Sequence, residues 1–209
     1  PSLRMVQYKL KYFNDRGRAE AARQIFALAG VEFEDIRYTR EEFPQYKAEL
    51  PFGQIPVLEV DGVKIGQSIA IARFLGRTFN LIGANPLEDA KLDMIVDQER
   101  DFSTEALPYF LCLIGMIPGD KDKLRAEKFV PARDKNFAYF SKFIKKDSYI
   151  LGDRITWADV FLAEFFIGMD IHVPGAFEGG FEDLLAFAKR VQAHPRIAKH
   201  IATRPASLF

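Results

Sequence analysis

The chain has 209 residues, enough to form two small domains that each bury a core. The chain has 29 basic residues (lysine plus arginine) and 29 acidic residues (aspartate plus glutamate), so its formal net charge is zero. This charge does not favour binding to nucleic acid or to an anionic membrane surface, so small molecules and proteins are the expected partners. No apolar run approaches the roughly 20 residues of a membrane span, and no signal-like segment precedes the first strand. The single cysteine excludes an internal disulfide framework. We therefore expect a cytoplasmic protein.

The first third of the chain carries alternating strand and helix signals. Residues 7–12 alternate apolar and polar side chains, which predicts a strand that ends in a loop at residues 13–17. The spacing over residues 18–29 predicts a helix with one apolar face, and Gly30 supplies its C-terminal stop. A second strand is predicted at residues 33–38, followed by a polar loop.

Three features follow one another in residues 51–74. Pro56 opens an apolar strand, which favours a cis Ile55–Pro56 bond that would turn the main chain of Ile55 outward, free to pair with an extended peptide. Asp61-Gly62 lies between two apolar runs and predicts a β-hairpin. Ser68 then suits the start of a helix, where free N–H groups hold an anion. Each feature alone is also explained by a tight turn or a capped helix, but their order predicts a binding site for a small peptide with a carboxylate at one end.

Beyond residue 80 the strand signals give way to helical ones. The turn formers at residues 81–86 predict a linker. Helices are predicted at about 87–115, 122–145, 156–169, 183–193 and 196–202. Pro108 should kink or divide the first of these helices, and Thr156 with Asp159 has the spacing of a capping box.

The segments YKLKYFNDRGRAE, FGQIPVLEVDG and QSIAIARFL resemble the glutathione-binding half of cytosolic glutathione transferases, in particular a sigma-like class of invertebrate, nematode-type enzymes. The resemblance is dense over residues 7–79 and thinner beyond them. It implies an α/β thioredoxin-like N-terminal domain at residues 5–80, a linker at 81–86, and an all-α C-terminal domain at 87–209 that contributes the electrophile pocket and a dimer interface.

The resemblance places catalysis at the end of the first strand. Tyr12 matches the catalytic tyrosine of the family, and Arg18 is expected to steady the glutathione thiolate or a polar acceptor group. A thiol with a pKa near 8.5 needs a drop of about two pKa units, or about 2.7 kcal/mol, to be mostly ionised at neutral pH. One hydrogen bond to a charged group is worth about 1.5–3 kcal/mol, so a neutral tyrosine hydroxyl nearly suffices. Tyr8 is the rival tyrosine but departs from the motif position.

The same resemblance implies the glutathione contacts. They are Tyr12, Phe43, Lys47, Gly53, Gln54, Ile55, Gln67 and Ser68. Ile55 is expected to use its backbone, Gln67 and Ser68 to meet the γ-glutamyl carboxylate, and Lys47 to meet the glycine carboxylate. Phe43 stands where sigma-class relatives usually have tryptophan, and this replacement removes an indole N–H donor.

A homodimer is also implied. Asp101 aligns with the acid that reaches the γ-glutamyl amine of the partner subunit's ligand, with Asp97 as the alternative residue. Phe52 lies on the loop that projects toward the neighbour in such dimers, where it is either an interface plug or a local core residue.

The electrophile pocket is expected to include Phe13, Asp15, Gly17 and Phe209. In the related prostaglandin D synthases a tryptophan contributes to this pocket, whereas the single tryptophan here is Trp157, in the capping motif. Cys112 lies in an apolar run and is expected to be a buried structural thiol. The three histidines lack ligand-like spacing, so no metal is predicted.

The predicted function is conjugation of the thiolate of glutathione, the co-substrate, to small hydrophobic electrophiles, as in detoxification. A glutathione-dependent isomerase or peroxidase would use the same thiolate. A non-catalytic carrier of hydrophobic ligands, or a structural relative, is the alternative from a different class.

Overall fold

A computed structural model describes residues 6–207 of the chain, which form two compact units. The first unit comprises the described residues up to 82 and from 191 onward, and the second comprises residues 83–190. The sequence placed the final segment in a helical domain at 87–209, whereas in the structure it groups with the first unit. Across residues 6–207, no helix combines the length and apolar composition that crossing a membrane requires.

The described elements follow the predicted order. The strands are β1 (Tyr8–Phe13), β2 (Glu34–Tyr38), β3 (Val57–Val60) and β4 (Val63–Gly66). The helices are α1 (Glu20–Ala29), α2 (Phe43–Tyr46), α3 (Ser68–Thr78), α4 (Pro86–Glu105), α5 (Leu107–Leu113), α6 (Lys121–Leu124), α7 (Val130–Phe143), α8 (Trp157–His172), α9 (Glu182–Gln192) and α10 (Pro195–Thr203). Short 3-10 turns at Gly17–Ala19 and Lys47–Glu49 and a π-helical segment at Arg125–Phe129 complete the list.

The sheet of the first unit has the strand order β2-β1-β3-β4. β1 runs parallel to β2, which requires the crossover through α1, and antiparallel to β3, which pairs with β4 in a hairpin. Leu10 of β1 lies opposite Leu58 of β3, and both are fully buried. The predicted thioredoxin-like α/β arrangement is therefore confirmed.

Helix α1 is buried on almost every side, although its sequence predicted a single apolar face. Residues 20–26 are all buried, and the helix packs against both α3 and α10. Gly30 ends the helix in the left-handed conformation at φ 71°, as expected for a C-terminal glycine. Because Glu20 and Arg23 are carried inside with the apolar residues, their charges must be satisfied within the protein.

Aromatic side chains fill the core of the second unit. Phe102 and Phe137 pack with ring centroids 5.5 Å apart, and Phe166 contacts Phe137 at 5.8 Å and Phe140 at 5.5 Å. The long helix predicted at residues 87–115 is divided as expected before Pro108, where α4 ends and α5 begins.

The capping box predicted before α8 is present. The Thr156 side chain accepts from the backbone N–H of Asp159, and the Asp159 carboxylate accepts from the backbone N–H of Thr156 at 2.8 Å. The other carboxylate oxygen of Asp159 accepts from the N–H of Ile150 at 2.8 Å, which ties the preceding loop to the helix. Trp157, the first residue of α8, is buried beside this motif.

One buried carboxylate joins the C-terminal segment to α1. Glu20, only 1% exposed, accepts a hydrogen bond from the Arg204 guanidinium at 2.6 Å and lies 2.9 Å from Nε2 of His200. Burial alone would raise the pKa of Glu20, but the hydrogen bonds with His200 and Arg204 outweigh it and lower the pKa from its ordinary 4.5 to about 2. These contacts explain why the C-terminal segment belongs to the first unit.

Replacing Glu20 with glutamine should lower the free energy of unfolding by about 3 kcal/mol at pH 7, because the buried Arg23 and the partly exposed Arg204 lose the counter-charge that they share. Since folding depresses the pKa of Glu20, its contribution is complete above pH 4.5 and is lost as pH falls toward 2. The difference between parent and Glu20→Gln should therefore shrink over that interval in urea unfolding curves. Glu41→Gln, at an exposed position, is the control; a pH-independent difference for Glu20→Gln would contradict this account.

Candidate active site

The β3–β4 hairpin and its flanks have the backbone features that the sequence predicted. The Ile55–Pro56 peptide bond is cis. Asp61 and Gly62 both have positive φ, at 47° and 91°, as a two-residue hairpin turn requires. The hairpin therefore returns the chain directly from Pro56 to the start of α3.

Gln67 precedes α3 in a sparsely populated conformation, with φ 71° and ψ 116°. A non-glycine residue held there must be fixed by its surroundings, and such positions cluster at functional sites. The first N–H groups of α3 have no partner within a helix, and Gln67 makes no side-chain cap to them. This helix end is therefore suited to an anionic group.

A cleft in the first unit brings several predicted residues together. It is lined by Arg18, Phe52, Gln54, Ile55, Pro56, Gly66, Gln67 and Ser68, and its free volume is about 330 Å³ including space open to solvent. The cleft thus joins a stretch of backbone beside the cis bond to the N-terminus of α3. Such a shape fits an extended ligand with a carboxylate at one end.

Tyr12, near the end of β1, does not itself line the cleft but contacts Arg18, which does. Its hydroxyl oxygen accepts a hydrogen bond from the backbone N–H of Arg18, over 3.2 Å. Gly17 makes this approach possible, because a Cβ at this position would lie 2.5 Å from the hydroxyl oxygen, and the φ of Gly17 is +37°. With the oxygen engaged as an acceptor, the hydroxyl proton remains available to donate to a ligand.

Tyr8 is in a different environment. It is 9% exposed and packs edge-on against Phe26 and Phe79, at centroid distances of 5.4 and 5.9 Å. Burial, with a contribution from Asp61, raises the pKa of Tyr8. Its burial and these two ring contacts make Tyr8 a core residue of the first unit.

Phe43 contacts the Tyr12 loop through aromatic packing. Its ring meets Phe13 edge-on at 5.1 Å and lies 6.3 Å from Tyr38, while Phe13 packs on Tyr12 at 5.6 Å. The structure therefore gives Phe43 a packing role between α2 and β1, for which an indole N–H is not needed. Phe43 does not line the cleft.

Lys47 and Asp15 make separate contacts in the first unit. Lys47 is exposed and runs along Gly53, whose φ is +60° and where a Cβ would come 3.3 Å from Cγ of the lysine. This places the Lys47 stem next to the backbone that leads into Gln54. Asp15 accepts an ion-pair hydrogen bond from Arg40 at 2.9 Å, and the Arg40 guanidinium lies 4.8 Å from the centroid of the Phe13 ring.

One predicted site residue belongs to the second unit. Asp101 is exposed on α4 of the second unit. Phe209 lies outside the described residues. Cys112 is 2% exposed and its thiol packs near Gly119, which agrees with a structural role.

Sequence reasoning missed Arg23, whose side chain is fully buried and bonds to the loop that follows Tyr12. The available signal was an arginine on the buried face of an amphipathic helix, three residues after Glu20.

Across residues 6–207 no cluster of three histidine, cysteine or carboxylate side chains could hold a metal ion.

Comparison with known proteins identifies the family. A model of the glutathione S-transferase N-terminal domain matches residues 8–77, and a model of the C-terminal domain matches residues 116–204. The chain belongs to the glutathione S-transferase family. It is 44% identical to probable glutathione S-transferase 5 of Caenorhabditis elegans, over 98% of this chain and 100% of the relative. It is 45% identical to glutathione S-transferase 1 of Ascaris suum, over 96% and 98% of the two chains.

Several solved structures resemble this chain over almost its whole length. A Nu-class glutathione transferase from Haemonchus contortus has a TM-score of 0.87 at 47% identity, covering 98% of this chain and all of that one. Monomeric Na-GST-3 from the hookworm Necator americanus has a TM-score of 0.90 at 46% identity, covering 97% and 100%. Prostaglandin synthase D of Nilaparvata lugens has a TM-score of 0.85 at 32% identity, covering 96% and 100%.

Replacing Gly17 with alanine should displace the Tyr12 hydroxyl, because the added Cβ cannot share its space. We expect kcat/KM for glutathione-dependent turnover to fall at least about tenfold, equivalent to a lost interaction of about 1.4 kcal/mol. Gly62→Ala is the matched control: its φ is also positive, but no heavy atom lies within 4 Å of the added carbon. Equal losses of activity in the two variants would show that backbone strain alone, and not the Tyr12 contact, is responsible.

Proposed function

We propose that this glutathione transferase ionises the thiol of bound glutathione against Tyr12 and transfers the thiolate to small hydrophobic electrophiles. The observation that carries this proposal is the hydrogen bond from the Arg18 backbone N–H to the Tyr12 hydroxyl oxygen, which leaves the hydroxyl proton for the sulfur. A neutral hydroxyl donor stabilises a thiolate more than a thiol, and so lowers the pKa of the thiol.

The tripeptide would lie extended in the cleft. Its cysteinyl main chain would pair with the backbone of Ile55, and its γ-glutamyl carboxylate would meet Gln67 and Ser68 at the N-terminus of α3. Lys47, placed along Gly53, would face the carboxylate at the glycine end. Gln54 completes the contacts, since it lines the same cleft.

The residues around the Tyr12 hydroxyl would form the electrophile side of the site. Phe13 would offer an aromatic surface, Asp15 a carboxylate that is also paired with Arg40, and Gly17 the backbone against which the Tyr12 hydroxyl lies. Arg18 lines the cleft and is exposed, so its guanidinium would steady the thiolate or a polar acceptor on the electrophile. Catalysis would rest on the lowered thiol pKa and on proximity.

Tyr12→Phe tests the proposal. Loss of one hydrogen bond to a charged group, about 1.5–3 kcal/mol, should lower kcat with a chromogenic aryl halide by about 10- to 150-fold. The KM for glutathione should change little, because the cleft residues remain in place. Tyr8→Phe, on the same strand, should retain kcat within about twofold. Unchanged conjugation by Tyr12→Phe would refute the assignment.

A glutathione-dependent isomerase is the second candidate, and the similarity to prostaglandin synthase D favours testing it. It would use the same Tyr12-stabilised thiolate. The only tryptophan, Trp157, is buried at the capping box. An isomerase pocket in this chain would therefore lack the tryptophan that the related prostaglandin D synthases use. A peroxidase would also share the thiolate, while a non-catalytic carrier or structural relative would bind glutathione without ionising it.

We also propose a cytoplasmic role in detoxification and a sigma-like class, the latter supported by the YKLKYFNDRGRAE segment. The Nu-class relative is 47% identical, so the class assignment depends on this segment and not on overall identity.

We propose a homodimer in which Asp101 meets the amine of glutathione bound by the partner. Two observations support it: Asp101 is exposed on α4, and Phe52 is 66% exposed at the edge of the cleft. One edge of the Phe52 ring packs on Gly66, where a Cβ would come 3.2 Å from the ring, and the exposed remainder would contact the partner. One structural relative is described as monomeric, which makes the oligomeric state a test specific to this chain.

Sedimentation at micromolar concentration should give twice the mass of one chain. Phe52→Ala should shift the protein toward monomer, because it removes the exposed anchor. Met116→Ala, which removes a side chain of similar exposure from the second unit, should not. A parent protein that sediments as a monomer would contradict the roles of Phe52 and Asp101 together.

A further inference from the structure

Arg23 is fully buried and has no role in the proposed reaction as described above. It lies on α1, and its charge faces two carboxylates: Nε is 3.1 and 3.2 Å from the Asp35 oxygens, and Nη1 is 3.5 Å from Glu20. A buried guanidinium is tolerated only when it is paired and hydrogen-bonded.

The remaining hydrogen bonds of this guanidinium go to the loop that follows Tyr12. Nη1 donates to the carbonyl oxygen of Asp15 at 2.7 Å, and Nη2 donates to that of Phe13 at 3.5 Å. These carbonyls lie on either side of Asn14, so one rigid planar group holds both ends of this bend. The loop then leads into Gly17 and Arg18, whose positions fix the Tyr12 hydroxyl.

Other contacts hold the same loop from outside. Arg37 donates to the Asn14 side chain at 3.1 Å and pairs with Asp35 at 2.7 Å. These bonds reach a side chain of the loop, whereas Arg23 reaches its backbone. Arg37 is therefore a matched comparison, since it shares the Asp35 carboxylate.

Arg23 is in turn held by the C-terminal segment. Glu20, which faces Nη1 of Arg23, accepts from Arg204 at 2.6 Å and lies 2.9 Å from His200. A continuous chain of hydrogen bonds and ion pairs therefore runs from Arg204 through Glu20 and Arg23 to the carbonyls beside Tyr12. All of its members belong to the first unit.

We propose that Arg23 is a positioning residue for catalysis: its buried guanidinium holds the Phe13 and Asp15 carbonyls so that the Tyr12 hydroxyl is directed at the glutathione sulfur, and Arg204 acting through Glu20 holds Arg23. This inference rests on the proposed function. Arg23 touches neither substrate nor reacting atoms, so its effect must appear in how well Tyr12 stabilises the thiolate.

The test is Arg23→Lys, measured by ultraviolet titration of the bound glutathione thiol and by steady-state kinetics. Lysine retains the charge, but one nitrogen cannot span the Asp35 carboxylate and two carbonyls. We expect the pKa of the bound thiol to rise by about one unit and kcat to fall about tenfold, with the KM for glutathione changed less than about threefold. Arg37→Lys should leave the thiol pKa unchanged.

Arg204→Gln is the second variant, at a partly exposed side chain, and should shift the thiol pKa in the same direction by a smaller amount. If Arg23→Lys fails to fold, the titration of Arg204→Gln is the deciding measurement, and an unchanged thiol pKa in that variant overturns the proposal. A purely structural role predicts a lower melting temperature for Arg23→Lys with an unaltered thiol pKa, which would also overturn it. A parent protein that binds glutathione without ionising it refutes the proposed function itself, and the Arg23 assignment with it.

Discussion

The hydrogen bond from the Arg18 N–H to the Tyr12 hydroxyl oxygen is the interaction on which the site depends. It engages the oxygen as an acceptor and leaves the hydroxyl proton to be donated, which in the proposed function goes to the glutathione thiolate. The bond exists only because Gly17 has no Cβ, since the hydroxyl occupies the space that a side chain would need. The absence of a side chain at residue 17 therefore determines the position of the Tyr12 hydroxyl.

The loop that carries this interaction is stabilised from the protein interior. Arg23 bonds to its carbonyls, and Glu20 connects Arg23 to the C-terminal segment. The cleft beside it is lined by residues 54–56 and 66–68, which end at the N-terminus of α3, and shares Arg18 with this loop. In the proposed function, binding of glutathione depends mainly on the cleft and ionisation of its thiol on the Tyr12 loop, so substitutions in the two places should have different effects.

Features set by neighbouring residues were predictable from the sequence. Asp61-Gly62 specified the hairpin, and Thr156 with Asp159 specified the capping box, because each motif satisfies its own backbone groups. Arg23 and the C-terminal segment were not predicted in their places, since their partners are distant in sequence and no periodic pattern encodes them. The contact of Phe43 with glutathione stays a prediction from the resemblance, while its packing against Phe13 and Tyr38 was not predicted because these rings come from other elements.

The most direct test is the pH titration of the thiolate absorbance of glutathione bound to the parent protein and to Tyr12→Phe. The account predicts that the bound thiol ionises about two pKa units below free glutathione in the parent, and near the free value in the variant. A parent that binds glutathione and ionises it at the pKa of the free thiol would contradict the central claim. So would a variant that retains the full shift.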